Sequence, residues 1–504
     1  MANPLYDALF APHPGSDQQF LSIPDGSDGI SYEAFVELSA MLAHALSDLG
    51  LAPGERLVAQ VEKSPMALGL YAACVMAGVV YLPLNTGYTA EEVRYFLGDS
   101  GARVLICDSG KAAGLAPVAT ELGAQLLTMN SDGSGMLRDL SRHKPRSFAP
   151  VDRDPTDLAA LLYTSGTTGR SKGAMLSHAN LLSNAQVLAR EWRFTGDDVL
   201  LHALPIFHTH GLFVATNICL LTGGAMILLP KFDADAVIAA LPHATAMMGV
   251  PTFYTRLLDD PRFNRELVAH MRLFTSGSAP LLTETHEAFE ARTGHRILER
   301  YGMTETNMNT SNPYAGPRKA GTVGKPLPGV ELKITDPETG ATLPDGEIGV
   351  IEVRGPNVFQ GYWQMPEKTA EELRADGFFI TGDLGRIDED GYVVIVGRAK
   401  DLIISGGYNI YPKEVELVLD EMPGVLESAV IGVPHPDFGE GVVGVLVARD
   451  GAALDEATIL AAAGARLAKF KLPKRLVVVK ALPRNAMGKV QKNVLRQGYG
   501  GSFK

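Results

Sequence analysis

Residues 162–173 read LYTSGTTGRSKG, so Thr164, Ser165, Gly166, Thr167, Thr168 and Gly169 run together ahead of Arg170, Ser171 and Lys172. Small residues let a backbone approach a ligand closely, and their N–H and O–H groups donate hydrogen bonds. With two cations added, that chemistry suits a polyphosphate. The spacing of Gly166, Gly169 and Lys172 is not that of the G-x-x-x-x-G-K-[ST] loop. A flexible surface turn is the bland alternative. The apolar run TDLAALLYT directly before the loop argues against it.

Four further stretches carry chemistry. RYGMTET, at 300–306, puts Thr304 and Glu305 after a glycine turn. Thr304 suits a phosphate oxygen, and Glu305 suits Mg2+, which needs only one or two protein carboxylates beside nucleotide phosphates. A capped helix with an acidic first turn would look the same. TGDLG, at 381–385, sets Asp383 where it could accept both hydroxyls of a ribose, or serve only an Asx-turn. In VGRAKDLIISGGYNIYPKEVE, Arg398 and Lys400 precede Ser405, Gly406 and Gly407, whose backbone a long ligand could approach. PRNAMGKVQK places Lys489 after a glycine turn; taken alone, it reads as a solvated lysine.

The elements that position these residues follow from periodicity. Residues 30–150 alternate helical patterns (YEAFVELSAMLAHALSDLG) with short apolar runs (RLVAQV, VVYLPL, ARVLICD), which predicts parallel α/β layers. TDLAALLYT predicts a strand, and AMLSHANLLSNAQVLAREW predicts a helix directly after the loop. GAMILLP, TAMMGV and MRLFTSG read as buried strands. From about 318 to 398, Gly, Pro and β-branched residues in short runs predict antiparallel strands with tight turns. A small mixed α/β portion follows, with a domain boundary near Lys400.

Bulk properties narrow the function. A length of 504 residues allows two or more domains, and 46% hydrophobic with 20% charged residues is globular material. A net charge of −12 excludes a general nucleic-acid binder, which needs a basic surface. The three cysteines, Cys74, Cys107 and Cys219, lie in apolar segments without zinc spacing and read as thiols of a reducing compartment. The N-terminal residues carry Asp7 and Asp17 but neither a basic region nor a long apolar core, so no secretory or mitochondrial leader is apparent and a cytoplasmic location is expected. The longest apolar zone, 199–230, holds three histidines, Asn217 and two prolines, and reads as buried structure around a site, not a membrane span.

In order and spacing, the phosphate loop, YGMTE, TGDLG, GRAKDLIISGGYNIYPKEVE and PRNAMGK resemble the acyl-adenylate-forming enzymes, which include acyl-CoA synthetases, firefly luciferase and peptide-synthetase adenylation domains. The resemblance runs from ISYEAF to GKVQK, nearly the whole chain. It implies a large N-terminal domain (1–398) of α/β subdomains plus a small β-barrel, and a small mobile α+β C-terminal domain (399–504). It implies that the loop from Thr164 to Lys172 holds the β- and γ-phosphates of ATP while a carboxylate attacks the α-phosphorus. Adenine would lie between Gly277, Ser278, Ala279, Pro280 and Glu299, Arg300, Tyr301, Gly302, Met303. Thr304 would meet the α-phosphate, Glu305 the magnesium ion, and Asp383 and Arg398 the ribose. Lys489 would bridge the carboxylate and α-phosphate, then withdraw as the C-terminal domain rotates about Lys400. Ser405, Gly406, Gly407 and Tyr408 would line the CoA tunnel, with His208 as the gate beside the carboxylate. A lysine acetyltransferase and a deacetylase acting on Lys489 are implied partners.

The acid pocket is expected from IFHTHGLF, GVPTFYTRLL, FTSGSAP and YGMTETNMNTS. These carry Thr209, Arg256, Ser276, Ser278, Asn307 and Asn309, a small polar set with one cation candidate. A cation there would pair with a second carboxylate on the substrate. The same stretches resemble the malonate-activating members of the family, implying malonate + ATP + CoA → malonyl-CoA + AMP + pyrophosphate. Arg256 is the first choice for the distal carboxylate and Arg300 the second. Met308 and Thr209 would crowd C2 and set tolerance for methylmalonate. A ligase for another short acid, an enzyme loading a carrier protein, and a non-catalytic nucleotide binder stay open as alternatives.

Overall fold

The computed structural model describes residues 2–13, 15–23, 29–164, 171–405, 408–467, 469–485 and 488–503. The chain divides into two compact units, one of Met1–Ala320, Gly324–Glu331 and Arg354–Phe379, the other of Gly321–Val323, Leu332–Val353 and Ile380–Lys504.

The first unit holds two sheets. One is six-stranded, in the spatial order Gln125–Thr128, Val104–Cys107, Arg56–Gln60, Val80–Pro83, Leu158–Thr164 (β1) and Lys172–Ser177 (β2). The first five strands run parallel, and β2 runs antiparallel to β1 with Thr164 opposite Lys172. Val80–Pro83 and Val104–Cys107 are buried along their length, as parallel strands covered on both faces must be. The expected strand–loop–helix is therefore corrected to strand–loop–strand–helix. KGAMLS pairs antiparallel with β1, and the helix His178–Glu191 (α1) starts only where Ser177 and Asn180 form a reciprocal cap.

The second sheet has nine strands in the order Ile30–Ser31, Gln19–Ser22, Ala225–Leu228, Val199–His202 (β3), Ala246–Gly249 (β4), Leu273–Ser276 (β5), Leu298–Met303 (β6), Asn307–Ser311 (β7) and Lys325–Pro326. From Gln19–Ser22 through β6 the strands are parallel; β6 and β7 form an antiparallel hairpin. The loops leaving β3, β4, β5 and β6 thus emerge from the carboxyl ends of parallel strands, where open α/β sheets bind ligands. Tyr254, Phe274 and Phe289 pack edge to face in the core beneath, at 5.1–6.5 Å between ring centroids. The apolar zone 199–230 forms β3, a π-helical turn (His210–Thr216), a short helix and the strand Ala225–Leu228. Among the described residues no helix is long and apolar enough to cross a membrane.

A four-stranded sheet orders Glu331–Thr335, Gly349–Arg354, Phe379–Ile387 (β8) and Val393–Arg398 (β9), with β8 and β9 antiparallel. It occupies the Gly/Pro-rich region expected to be β-rich. Beyond it, Tyr408–Ile410, Ile403–Ser405, Gly439–Ala448 and Val425–His435 form a sheet that Arg475–Val479 joins along Gly439–Ala448. The helices Pro412–Asp420 (α2) and Lys492–Tyr499 (α3) pack on Val425–His435.

Candidate active site

Ser165, Gly166, Thr167, Thr168, Gly169 and Arg170 lie outside the described residues. The hairpin arms that carry them hold Thr164 and Lys172 as a cross-strand pair, and the Ser171 carbonyl accepts from the Tyr95 hydroxyl at 2.6 Å. Residues 359–363 run along β2, where Met175 N donates to Gly361 O and Trp363 N to Gly173 O. This brings in Tyr362, which no sequence signal marked. The Lys172 ammonium lies 4.1 Å over the Tyr362 ring and 3.1 Å from Glu372 Oε1. The Tyr362 hydroxyl lies 2.6 Å from Glu372 Oε2 and 3.1 Å from Glu305 Oε1, and Thr164 Oγ1 is 3.5 Å from that same Glu305 oxygen. Burial pushes the Glu372 carboxyl up, but hydrogen bonds from Tyr362 and Lys368 and the charge of Lys172 outweigh it and hold it below the usual range. Lys172, the candidate phosphate lysine, and Glu305, the candidate magnesium carboxylate, are thus joined through one tyrosine.

Glu305 is set by the β6–β7 hairpin. A bulge falls between Tyr301 and Gly302, and a Cβ on Gly302 would lie 1.8 Å from the Asn307 carbonyl oxygen, so only glycine fits. Asn307 takes a left-handed φ of 49°. The turn between them places Met303 and Thr304 half-buried and Glu305 buried. Phe359 N donates to the Glu305 carbonyl at 2.8 Å. Met308 is buried, and Asn184 grips its backbone at both the N–H and the carbonyl.

β5 ends at buried Ser276 and runs into Gly277, Ser278, Ala279 and Pro280; Pro280 is exposed. Glu299 Oε1 accepts from Leu281 N, tying that loop back to β6. Ser278 has a φ of 69°, a conformation that non-glycine residues rarely take and that gathers at functional sites. Its hydroxyl lies 3.3 Å from His210 Nδ1. Thr209 Oγ1 donates to Asn307 Oδ1 at 2.7 Å, linking the π-helical turn to β7. His208 is half-buried and its Nδ1 accepts from His210 N at 3.3 Å.

The two arginine candidates part company here. Arg256 sits on the helix Pro251–Leu258, which turns Tyr254 and Leu257 inward and Thr255 and Arg256 outward. It is exposed, 6.0 Å from the Phe232 ring centroid, and not in the buried setting expected of a specificity cation. Arg300, the second choice, is 2% exposed. Its guanidinium fills the space that a side chain on Gly277 would need; a Cβ there would lie 2.5 Å from Cζ. Arg300 Nε and Nη2 have no hydrogen-bond partner among the described residues, and the same holds for His210 Nε2, Ser276 Oγ and the amide nitrogen of Asn307. Burial lowers the Arg300 pKa to about 9, against the opposing pull of Tyr254 and Glu299. A buried, unpaired guanidinium costs several kcal/mol, on the order of the penalty for any desolvated charge, unless an anion completes it.

The second unit carries the other candidates. Asp383 and Arg398 face each other across β8 and β9, with Arg398 Nε 2.8 Å from Asp383 Oδ1. Gly382 has a φ of 69°, and Asp383 N donates to Thr381 Oγ1 at 3.1 Å, which fixes the TGD turn. Lys400 is exposed in the 3-10 turn Ala399–Asp401. Ser405 is buried and Tyr408 exposed, with its ring stacked on Phe470 at 4.6 Å; Gly406 and Gly407 lie outside the described residues. Lys489 is half-buried, and Asn485 holds its backbone through both the side chain and the main chain at 2.9 Å. Among the described residues no group of three or more His, Cys, Asp or Glu side chains could hold a metal.

Comparison with known proteins adds the following. The AMP-binding enzyme family model matches residues 11–363, and the AMP-binding enzyme C-terminal domain model matches residues 414–489. A malonate–CoA ligase from Arabidopsis thaliana is 37% identical over 456 residues, covering 84% of this chain and 74% of its own. A feruloyl-CoA synthase from an Amycolatopsis species is 37% identical over 501 residues, covering 99% and 98%. The crystal structure of ATP-bound MatB from Rhodopseudomonas palustris matches with a TM-score of 0.98 at 57% identity, covering 100% of both chains.

Proposed function

The chain belongs to the AMP-binding enzyme family, and from that premise we propose that it is an ATP-dependent malonate–CoA ligase. Malonate and ATP form malonyl-AMP and pyrophosphate; CoA then displaces AMP to give malonyl-CoA. The observation that carries the choice of acid is Arg300, a buried cation packed against Gly277, with two nitrogens that have no hydrogen-bond partner among the described residues. The distal carboxylate of malonate, one methylene from the reacting one, completes it. A monocarboxylate would leave it stranded. The exposed position of Arg256 leaves it a minor part.

In the first step a carboxylate oxygen of malonate attacks the α-phosphorus and the bond to pyrophosphate breaks. The work of the protein is positioning and charge stabilisation. Lys172 and the loop before it hold the outer phosphates, Thr304 the α-phosphate, and Asp383 with Arg398 the ribose. Lys489 approaches the forming mixed anhydride. Glu305 suits Mg2+: its carboxylate is buried, bordered by the hydroxyls of Thr164 and Tyr362, and nucleotide phosphates would complete a hard oxygen shell. When bound, the ion neutralises phosphate charge. In the second step the CoA sulfur attacks the acyl carbon and AMP leaves with the bonding pair. The C-terminal domain, 399–504, turns about Lys400 between the steps, withdrawing Lys489 and presenting the segment from Ser405 to Tyr408 to CoA. Met308 and Thr209 border C2 and admit methylmalonate at a reduced rate.

The test is pyrophosphate release from single acids, mono- and dicarboxylic, with and without CoA. Malonate should give the highest kcat/KM, with malonyl-CoA matching pyrophosphate in amount. Faster turnover of acetate, butyrate or an aromatic acid than of malonate would overturn the assignment.

A further inference from the structure

Behind the loop that carries His208, Thr209 and His210 lies a lysine that none of this chemistry uses. Lys63 is 7% exposed, and among the described residues its ammonium meets no carboxylate. Its partners are His202 Nδ1 at 2.7 Å, the His202 carbonyl at 2.6 Å and the Leu204 carbonyl at 3.0 Å. An ammonium only donates, so His202 Nδ1 is the acceptor and the imidazole proton sits on Nε2. That Nε2–H donates to the Gly211 carbonyl at 2.8 Å. Burial, with Lys63 nearby, holds the His202 pKa well below the usual imidazole range, in keeping with a neutral ring.

Lys63 therefore fastens both ends of one loop. It grips residues 202 and 204 directly, and residue 211 through the ring. Gly211 lies close against the start of the loop, where a Cβ would come within 2.2 Å of the Pro205 carbonyl oxygen. Between the fastened ends stand His208, then Thr209 bonded to Asn307, then His210 beside Ser278. His210 contacts Ser278, the neighbour of Gly277 against which the Arg300 guanidinium packs, so the loop borders the same cation that receives the distal carboxylate. The segment ends in a π-helical turn, a rare geometry that recurs at functional sites.

We propose that Lys63 is a positioning residue for acid selection: through His202 it holds the 202–211 loop against the distal-carboxylate site. The proposal rests on the assignment of that site to Arg300. Lys63→Met should raise the malonate KM about tenfold and lower the malonate-to-propionate ratio of kcat/KM by a similar factor. The ATP KM should stay within about twofold, because the phosphate and ribose residues are set by other strands. Two variants of one size separate linkage from bulk. His202→Gln can still accept from Lys63 and donate to Gly211, and should keep the malonate KM within about threefold, whereas His202→Leu should behave like Lys63→Met. These readings also decide the matter if Lys63→Met does not fold. Equal losses for malonate, propionate and ATP, or a His202→Leu protein with wild-type selectivity, would overturn the proposal. A wild-type protein without preference for malonate would instead sink the Arg300 assignment, so the two failures are distinct.

Discussion

Arg300→Met removes the one feature on which the choice of acid turns. In the wild type the guanidinium is 2% exposed and two of its nitrogens have no hydrogen-bond partner among the described residues. Malonate bound to the variant would bury its distal carboxylate against a thioether. Losing the cation from a buried pair costs about 3–5 kcal/mol, which is roughly two to four orders of magnitude in kcat/KM. The ligand-free protein should respond in the opposite direction. Burial holds the Arg300 pKa at about 9, so the unfolded chain binds the proton more tightly and the charge opposes folding at neutral pH. Replacing such a charge with an apolar side chain of similar size is often stabilising by about 1–4 kcal/mol. The variant should therefore resist denaturant better while failing on malonate, a pairing that a merely misfolded protein cannot show. The assay is pyrophosphate release with malonate, propionate and butyrate, alongside denaturant titration. Arg256→Met, on the exposed helix, serves as the control and should stay within about twofold on malonate. If Arg300→Met keeps malonate kcat/KM within about threefold, or under ~0.7 kcal/mol, the dicarboxylate reading fails.

Lys489→Ala should abolish pyrophosphate release but spare malonyl-CoA formation from supplied malonyl-AMP, since the charge is needed only at the pentavalent phosphorus; equal loss in both steps would contradict domain rotation. Acetylation of Lys489 removes the same charge and should have the same effect, read by mass spectrometry and activity before and after deacetylation. Lys400→Pro restricts the 3-10 turn Ala399–Asp401 and should preserve adenylation while thioester formation falls steeply; the reverse pattern would put the hinge elsewhere. Asp420 is buried on α2, which lifts its carboxyl to about 6, with Glu416 adding and Lys413 and Ser428 opposing. A carboxyl raised in this way favours the fold while protonated and loses that benefit as pH rises through about 6. Asp420→Asn should thus stabilise the protein by up to about 3 kcal/mol at pH 7.5, with the gain vanishing near pH 4. A gain that does not vary with pH would refute the cause.

The strands were legible because apolar runs such as LAALLYT and VLIC are short and bounded by turn residues, and all of them fold as read. The helix start after the phosphate loop was not, because a run as short as GAMLS does not separate strand from helix and only the Ser177–Asn180 cap marks the true boundary. The two arginines could not be ranked from spacing. Arg256 follows an inward-facing tyrosine by two positions on a helix, which turns it outward, while Arg300 sits in a strand whose neighbours leave it a glycine-sized hollow. A clue was present in Gly277, a glycine at a strand end with no turn of its own to serve. Lys63 carried no signal at all. A lone lysine before a Ser-Pro helix start reads as solvated, and only the fold brings His202 to it, 139 residues away.

A single competition experiment addresses the assignment most directly. Protein, ATP, Mg2+ and CoA are mixed with equal concentrations of malonate, methylmalonate, succinate, acetate, butyrate and ferulate, and the CoA thioesters are quantified by mass spectrometry early in the reaction. Malonyl-CoA should dominate, with methylmalonyl-CoA second and the monocarboxylic thioesters scarce. Dominance by an acetyl, butyryl or feruloyl thioester would contradict the malonate assignment, and with it the role of Arg300.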